Sequence, residues 1–465
     1  MNEITYLTNN RGEQNFELFY QCTYFLNGMD YFDTGSSGQG FYSGIGGGAV
    51  VEGELDLNRV ERVMQRLFDE IDTLRVCYPA AKDDSLHFKI RADYDFKLEV
   101  LQARGASYEE RLQYASNEES RIVADLQNYT DITCRAVVYD LADGPSGAHA
   151  WLIALTFNHM IIDDQGLILV WDQFMRYYRG ETKRCANVKS LVDYFNFIND
   201  NPDLYDRDAI ISYWKQEMSG YKTPEMCEPE GMEGVESFDL ADYVVFYDIL
   251  HLRRVAAACK VTLPALFVSA FHVASAETFG ARDSVVTLGT EARPNFEYWS
   301  TVVHSLVSIN NRMDVRDDET FADFAHRTMV KMSENIKNAP AQQYVGGISH
   351  LCITYANQPP TPNLGDGLTC HAWMPDTVLA DNRTDASELV LPPKQLMMGI
   401  VELGDTVRTL CGFTPLSFSM ADAKSLSGGM ERCLRMLDEN SQITVGDILA
   451  AAPATSRLRF LEPLN

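Results

Sequence analysis

The stretch 151–180, WLIALTFNHMIIDDQGLILVWDQFMRYYRG, constrains the fold more than any other part of this 465-residue chain. Residues 151 to 157 are an apolar run of strand length. A polar knot follows, opening with Asn158 and His159 and closing with Asp163 and Asp164. From Gly166 onward Leu167, Val170, Trp171, Phe174 and Tyr178 recur at three- and four-residue spacing, the period of a helix with one apolar face. Gly180 stands where a helix C-terminal glycine belongs. The pattern predicts a buried strand that delivers one imidazole and two carboxylates at its C-terminal end, where α/β sheets usually keep their chemistry.

The preceding segments prepare that strand. Residues 132–140 read as a strand, and Asp-Gly-Pro-Ser-Gly at 143–147 as a turn, so 151–157 is the return strand of a hairpin. Residues 14–27 are aromatic-rich and partly helical in spacing. The run GIGGG at 44–48 precedes the apolar residues 49–51. A dinucleotide loop follows a strand and opens a helix, so these glycines read as a flexible lead into a strand. Asp56 is placed to cap a helix whose apolar face is Val60, Val63, Met64, Leu67 and Ile71. Residues 87–100 alternate like one or two strands, and 107–125 are helical.

After Gly180 come loop and helix, with a clear helix at 206–218. Residues 220–237 carry Gly, Pro and Glu without periodicity and read as a linker or long surface loop. Beyond it, the pattern predicts helices at 250–260 and 265–279, the second apolar on most faces and therefore buried. Strands are expected at 285–288, 351–357 and 401–413, and a closing helix at 420–437.

Composition excludes several classes. No window approaches the roughly 18 apolar residues of a membrane span, and the polar N-terminus lacks the regions of a signal peptide. A cytoplasmic location is expected. The ten cysteines include no C-x-x-C pair, which argues against a zinc site and for packed, reduced thiols. A formal net charge of −27 repels nucleic acid and anionic membranes, so neither is an expected partner.

The knot, N-H-x-x-x-D-D, resembles the H-H-x-x-x-D-G motif of nonribosomal peptide synthetase condensation domains, which belong with the His-x-x-x-Asp acyltransferases such as chloramphenicol acetyltransferase. Other segments resemble the family in the same order. They are the "G-x-L-D…helix…L-R" unit at 53–76, the "strand, G-x-x-x-R" unit ending at Arg293, a loose match of 302–314 to "V-G-x-F-x-N", and the terminal segment 445–450. In the third, His304, Leu306 and Ser308 take the Gly, Phe and Asn positions, and His304 reads as incidental.

The resemblance implies an α/β fold of two chloramphenicol acetyltransferase-like subdomains with mixed sheets, joined in a V-shaped pseudo-dimer. The first, residues 1–180, carries the His motif, and the second is 181–465; the residues alone leave 220–237 as a rival boundary. One such unit accounts for the whole chain, which implies a free-standing protein. The resemblance assigns His159 as the catalytic residue and pairs Asp163 with Arg293, at an expected 2.7–3.0 Å; Asp163 is equally placed to cap the following helix. Asn158, Asp164, Ser308 and Tyr355 are expected along the substrate channel. Two departures stand out, Asn158 for the first His and Asp164 for the Gly. Asp164 brings charge beside the imidazole, which raises its pKa, binds a cationic amine, or marks a site that has lost catalysis.

The implied chemistry joins an acyl thioester to a small-molecule amine or alcohol. No cofactor is tightly bound, and the donor arrives on the phosphopantetheine arm of a carrier protein supplied in trans, or as acyl-coenzyme A. Three readings stay open: a condensation enzyme using carrier-bound thioesters, a coenzyme A-dependent acyltransferase, and a non-catalytic condensation-like module that recruits a partner. Because the chain is acidic, a carrier needs a local basic or apolar patch, for which Arg253 and Arg254 are candidates.

Overall fold

The computed structural model describes residues 4–17, 44–77, 87–125, 132–158, 161–201, 204, 206–221, 239–240, 243–339, 350–356, 362–373, 396–403, 405–413, 418–440 and 442–451. The chain divides into two compact units. The first is Met1–Leu204 with Arg293–Ser305 and Pro359–Asn382; the second is Tyr205–Ala292 with Leu306–Gln358 and Arg383–Asn465. The break expected at residue 180 thus lies inside the first unit. Past Gly180 the chain stays pinned there: Gln173 Oε1 accepts from the amides of Cys185 (2.5 Å) and Ala186 (3.0 Å). The stretch 220–237 falls almost wholly outside the described residues, as do 18–27.

The first unit opens with β1 (Phe16–Glu17), so the described part of the aromatic segment is strand, not helix. Then come β2 (Gly44–Glu52), α1 (Leu57–Glu70), β3 (Val76–Cys77), β4 (His87–Ile90), β5 (Glu99–Gln102), α2 (Tyr108–Asp125), β6 (Cys134–Asp143), β7 (His149–Asn158), α3 (Asp164–Tyr178) and α4 (Leu191–Asp200). The alternation at 87–100 is the two strands β4 and β5. The glycines at 44–48 are not a lead into β2 but part of it, paired with β7 from Gly44↔Asn158 to Glu52↔Ala150. The reason is steric. A Cβ on Gly48 would lie 1.9 Å from the Ile153 carbonyl oxygen, and one on Gly47 would lie 3.2 Å from Leu167 of α3. Glycine here lets β7 and α3 approach β2 closely.

Helices cover both faces of this sheet. α1 and α3 bury Val60, Leu67, Val170 and Phe174 against Ala49, Val51, Ile153 and Leu155. Each Val, Leu, Ile or Phe side chain so removed from water stabilises the fold by roughly 1.5–3 kcal/mol. The opposite face packs Val50, Leu152 and Ala154 against Ala115 of α2. Asp56 caps α1 through the Arg59 amide at 2.9 Å, and Gly180 closes α3 with φ +86°.

The second unit contains α5 (Arg207–Glu217), β8 (Asp239–Leu240), β9 (Val245–Asp248), α6 (Ile249–Ala258), α7 (Leu263–Phe279), β10 (Asp283–Glu291), β11 (Leu306–Asp314), α8 (Phe321–Lys337) and β12 (Leu351–Ala356). It ends with β14 (Leu396–Leu403), β15 (Thr406–Phe413), α9 (Met420–Glu439) and α10 (Val445–Ala450), the expected strand at 401–413 proving to be a hairpin. Between them β13 (Thr369–Trp373) returns to the first unit and adds itself to the edge of β2, giving the order β13-β2-β7-β6-β5. The second sheet runs β11-β10-β12-β14-β15-β8, parallel only at β10–β12 and β12–β14. α7 is buried along nearly its whole length, as its continuous apolar pattern requires. Among the described residues no single helix is long and apolar enough to cross a membrane.

α7 itself carries a buried imidazole, His272, with a defined tautomer. Asn335 Nδ2 donates to Asn311 Oδ1 at 3.0 Å, so Asn311 turns its Nδ2 toward His272 Nε2 at 3.3 Å. The proton of His272 therefore sits on Nδ1, 2.9 Å from Ser284 Oγ. Burial, then the charge of Arg327, pushes the His272 pKa down from 6.5 to about 3. The folded state keeps the ring neutral, so unfolding takes up a proton below pH 6.5. Stability should be full above pH 6.5 and fall as pH drops toward 3, by an amount on the order of 5 kcal/mol. Urea unfolding at pH 7, 6, 5 and 4 reads this slope directly. His272→Gln should flatten it, and an unchanged slope in the variant would remove His272 as its source.

Candidate active site

The site is built where β7 meets α3. The amide of Asn158, the last residue of β7, donates to the Thr133 carbonyl at 2.8 Å, and its own carbonyl accepts from Ile161 N–H at 3.2 Å. Asn158 is buried. His159 itself lies outside the described residues, together with Met160.

Asp163 is 2% exposed and is held by three elements. As N-cap of α3, its Oδ1 accepts from the Gly166 amide at 2.9 Å. The same oxygen lies 3.4 Å from Arg293 Nη2. Its Oδ2 accepts from the Ser305 amide at 2.9 Å and the Ser305 hydroxyl at 3.1 Å. Helix cap and ion pair are therefore one arrangement. The ion pair is longer than the expected 2.7–3.0 Å because the carboxylate shares itself among these donors, and Nη2 also reaches the Thr301 carbonyl at 3.5 Å. Burial alone would raise the Asp163 pKa. The charge of Arg293 outweighs it, with His304 and the Ser305 and Gly166 amides, and holds the carboxyl below its ordinary range.

Arg293 sits on a segment that is itself tied down. Thr301 Oγ1 donates to the Lys189 carbonyl at 2.8 Å, Thr73 Oγ1 to the Val302 carbonyl at 2.5 Å, and the Val302 amide to Asn187 Oδ1 at 3.3 Å. Asn187 in turn donates to Asp72 at 2.8 Å, and Asp72 accepts from the Leu191 and Val192 amides at the start of α4. Asp72, Thr73 and Arg75 belong to the run that closes the "G-x-L-D…L-R" unit. Arg75 donates to the carbonyls of Phe68 and Arg91, so that arginine is a brace for the chain turn after α1.

The remaining sequence candidates spread out. Asp164 is the first residue of α3 and exposed, a favourable place for a carboxylate at a helix N-terminus. Ser308 and Tyr355 lie in the second unit. Ser308 pairs with Gly289, whereas Tyr355 follows Ile353, which pairs with Leu288, so the two side chains occupy opposite faces of the sheet. Tyr355 packs 6.1 Å from Phe267 of α7 and donates to Glu402 at 2.5 Å. Ser305 and His304 were not legible as partners of the knot. Ser305 reaches Asp163 across 142 positions, and nothing local in the sequence marks that contact.

In this mixed α/β unit the central strand of the sheet ends at Asn158, and the first aspartate of the knot beyond it is ion-paired to Arg293. The model of a family described as "Condensation domain" matches residues 48–346, and the chain belongs to that family. It is similar to surfactin synthase subunit 1 of Bacillus subtilis (strain 168), 21% identical over 284 residues. That match covers 60% of this chain and 8% of that much longer protein. Among solved structures, the condensation domain from Monacolin K polyketide synthase MokA has a TM-score of 0.72 at 13% identity, covering 93% of this chain and 99% of that one. The first condensation domain of the CDA synthetase has a TM-score of 0.68 at 15% identity, covering 93% and 98%. The starter condensation domain of rhizomide synthetase, solved in complex with C8-CoA and Leu-SNAC, has a TM-score of 0.68 at 14% identity, covering 93% and 96%.

Proposed function

We propose that this chain transfers an acyl group from a thioester to an amine or alcohol, in peptide or related secondary-metabolite biosynthesis, with His159 managing the proton. The observation that carries this reading is the bracing of Asp163: a buried, ionised carboxylate held by α3, Arg293 and Ser305, four residues after the imidazole. A thioester is already activated, so the enzyme must chiefly align the nucleophile and exclude water. The amine nitrogen forms the new C–N bond, the C–S bond breaks, and the proton passes from nitrogen through the His159 imidazole to the departing sulfur. Asp163 and Arg293 hold the loop and touch no reacting atom.

The donor is carried on a phosphopantetheine arm. A complex with C8-CoA and Leu-SNAC is described for the rhizomide synthetase domain and supports a donor of this kind. On a chain of net charge −27, an acidic carrier needs a local exception. α6 offers Leu250, 63% exposed, with Arg253 and Arg254 three and four positions on; Arg253 lies 3.4 Å from Glu402 and Arg254 3.4 Å from His251.

Incubating the chain with an acyl thioester on a carrier protein, and separately as the coenzyme A ester, with an amine and an alcohol acceptor, tests the proposal by mass spectrometry of the product. Turnover with the carrier is expected, weakening as salt brings the Debye length below about 8 Å. Turnover with the coenzyme A ester alone, indifferent to any carrier, would place the chain in the coenzyme A branch. Asn158 and Asp164, where the family motif has His and Gly, favour a second reading, a condensation-like module that recruits a partner. Tight binding of a synthetase protein without turnover of either donor would establish it.

A further inference from the structure

The sequence contains two Asp-Gly pairs, at 143–144 and 366–367, and the first unit holds both. An Asp-Gly bond is chemically labile, because no Cβ shields the glycine nitrogen from the neighbouring carboxyl. The fold treats the two pairs in opposite ways. Asp143 ends β6, and the peptide joining it to Gly144 is held on both sides. Its carbonyl accepts from Arg111 Nη2 at 3.1 Å, and its N–H donates to the Ala148 carbonyl at 2.8 Å. Gly144 is also hemmed in: a Cβ there would lie 2.7 Å from Glu52 Oε2 and 3.0 Å from Ala150 Cβ.

Asp366 and Gly367 are the central residues of a tight turn, closed by the Leu368 amide on the Gly365 carbonyl at 3.0 Å. Their φ values of +54° and +75° put both in the left-handed region, as the central pair of a type I′ turn requires. Such a turn leaves its central peptide unbonded. Among the described residues neither the Asp366 carbonyl nor the Gly367 N–H has a hydrogen-bond partner. Both residues are exposed, and a Cβ on Gly367 would meet nothing within 4 Å. The Asp366 carboxylate is held by Arg59 Nη1 of α1 at 2.6 Å, but 65% of its side chain is exposed and water screens the pair. β13 begins at Thr369, directly after the turn.

We propose that Asp366 is a site of spontaneous isoaspartate formation, and that the fold spares Asp143. The Gly367 nitrogen bonds to Asp366 Cγ, and a Cγ–O bond of the protonated carboxyl breaks. The oxygen leaves as water, carrying the carboxyl proton and the amide proton, and a cyclic imide remains. Water then opens the imide at the main-chain carbonyl carbon of Asp366, so that the chain runs on through the side chain. The mass returns to that of the parent. The product has an extra methylene in its backbone, and its carboxylate no longer stands on the arm that reached Arg59. The clasp between the turn and α1 is thereby lost at the entry to β13, the edge strand on β2.

The test ages the full chain at neutral pH and 37 °C, beside a sample unfolded in guanidinium chloride, and maps the peptides of both. Isoaspartate shows as a second peptide of unchanged mass that endoproteinase Asp-N no longer cuts at that residue. In the folded chain the peptide bearing Asp366 should split in this way while the one bearing Asp143 stays single. In the unfolded sample both should split. Asp366→Glu should abolish the split, because the longer side chain closes a larger, slower ring. A folded chain in which Asp366 stays single, or converts no faster than Asp143, overturns the proposal. So does a split that persists in Asp366→Glu.

Discussion

Asp163→Ala should destabilise the first unit by about 3–5 kcal/mol, because the substitution leaves Arg293 charged, 2% exposed and without its carboxylate. The same change strips the cap from α3, and it deprives the Ser305 amide and hydroxyl of their acceptor. For a unit of this size the melting temperature should drop by roughly 6–20 °C. Thermal unfolding of the parent, Asp163→Ala and the double variant Asp163→Ala/Arg293→Met separates the causes. The double variant should recover part of the loss, since the stranded charge is gone while the missing cap remains. A single variant that melts within 2 °C of the parent would mean that the Asp163–Arg293 pair does not hold the fold. Asp163→Asn should be milder, as its side-chain oxygen still accepts from Gly166. On acidification the sign is that of a depressed carboxylate: its contribution is full above the unfolded pKa of 3.8 and is lost as pH falls through the lower folded value.

His159→Ala should lower turnover by roughly 10²–10⁴-fold, the usual yield of a positioned general acid–base group, while leaving the melting temperature close to the parent's. The contrast with Asp163 is the informative part. One residue should move the rate and not the fold, and the other chiefly the fold. Parallel measurement of kcat and of thermal unfolding reads both. Equal turnover by His159→Ala and the parent would remove this imidazole from the mechanism, whatever the fate of the Asp163 pair.

Much of the architecture was legible in the sequence because its elements have strong periods. The face Val60, Val63, Met64, Leu67 and Ile71 is buried as read. The continuous apolarity of 265–279 is the buried helix α7, and Asp56 and Gly180 cap their helices. What failed were features set by distant chain. The glycines at 44–48 resemble a flexible lead until Ile153 and Leu167 are known to press on them. The break at 180 ignored Cys185, Asn187 and Leu191, whose bonds to Gln173 and Asp72 keep 181–204 in the first unit. Within the site, the pairing of Asp163 and Arg293 came from the order of matched segments. Ser305, and the grip of His304 on Ile161, had no local signature. A serine beside a histidine means nothing until the loop it touches, more than 140 positions away, is in place.

The first unit is assembled from three separate stretches of chain, and this orders events during synthesis. Residues 1–204 can form most of their sheet as they emerge, yet the distant partners of Asp163 appear only with Arg293 and Ser305, and the edge strand β13 only after residue 369. At the 5–20 residues per second of translation, the 142 positions from Asp163 to Ser305 take roughly 7–28 s. During that interval Asp163 lacks the arginine that neutralises it and β2 is a bare edge, so the nascent unit waits open for its own later sequence. Ribosome pausing within the codons for 205–292 would lengthen that exposure, and a fragment ending at residue 204 would never leave it.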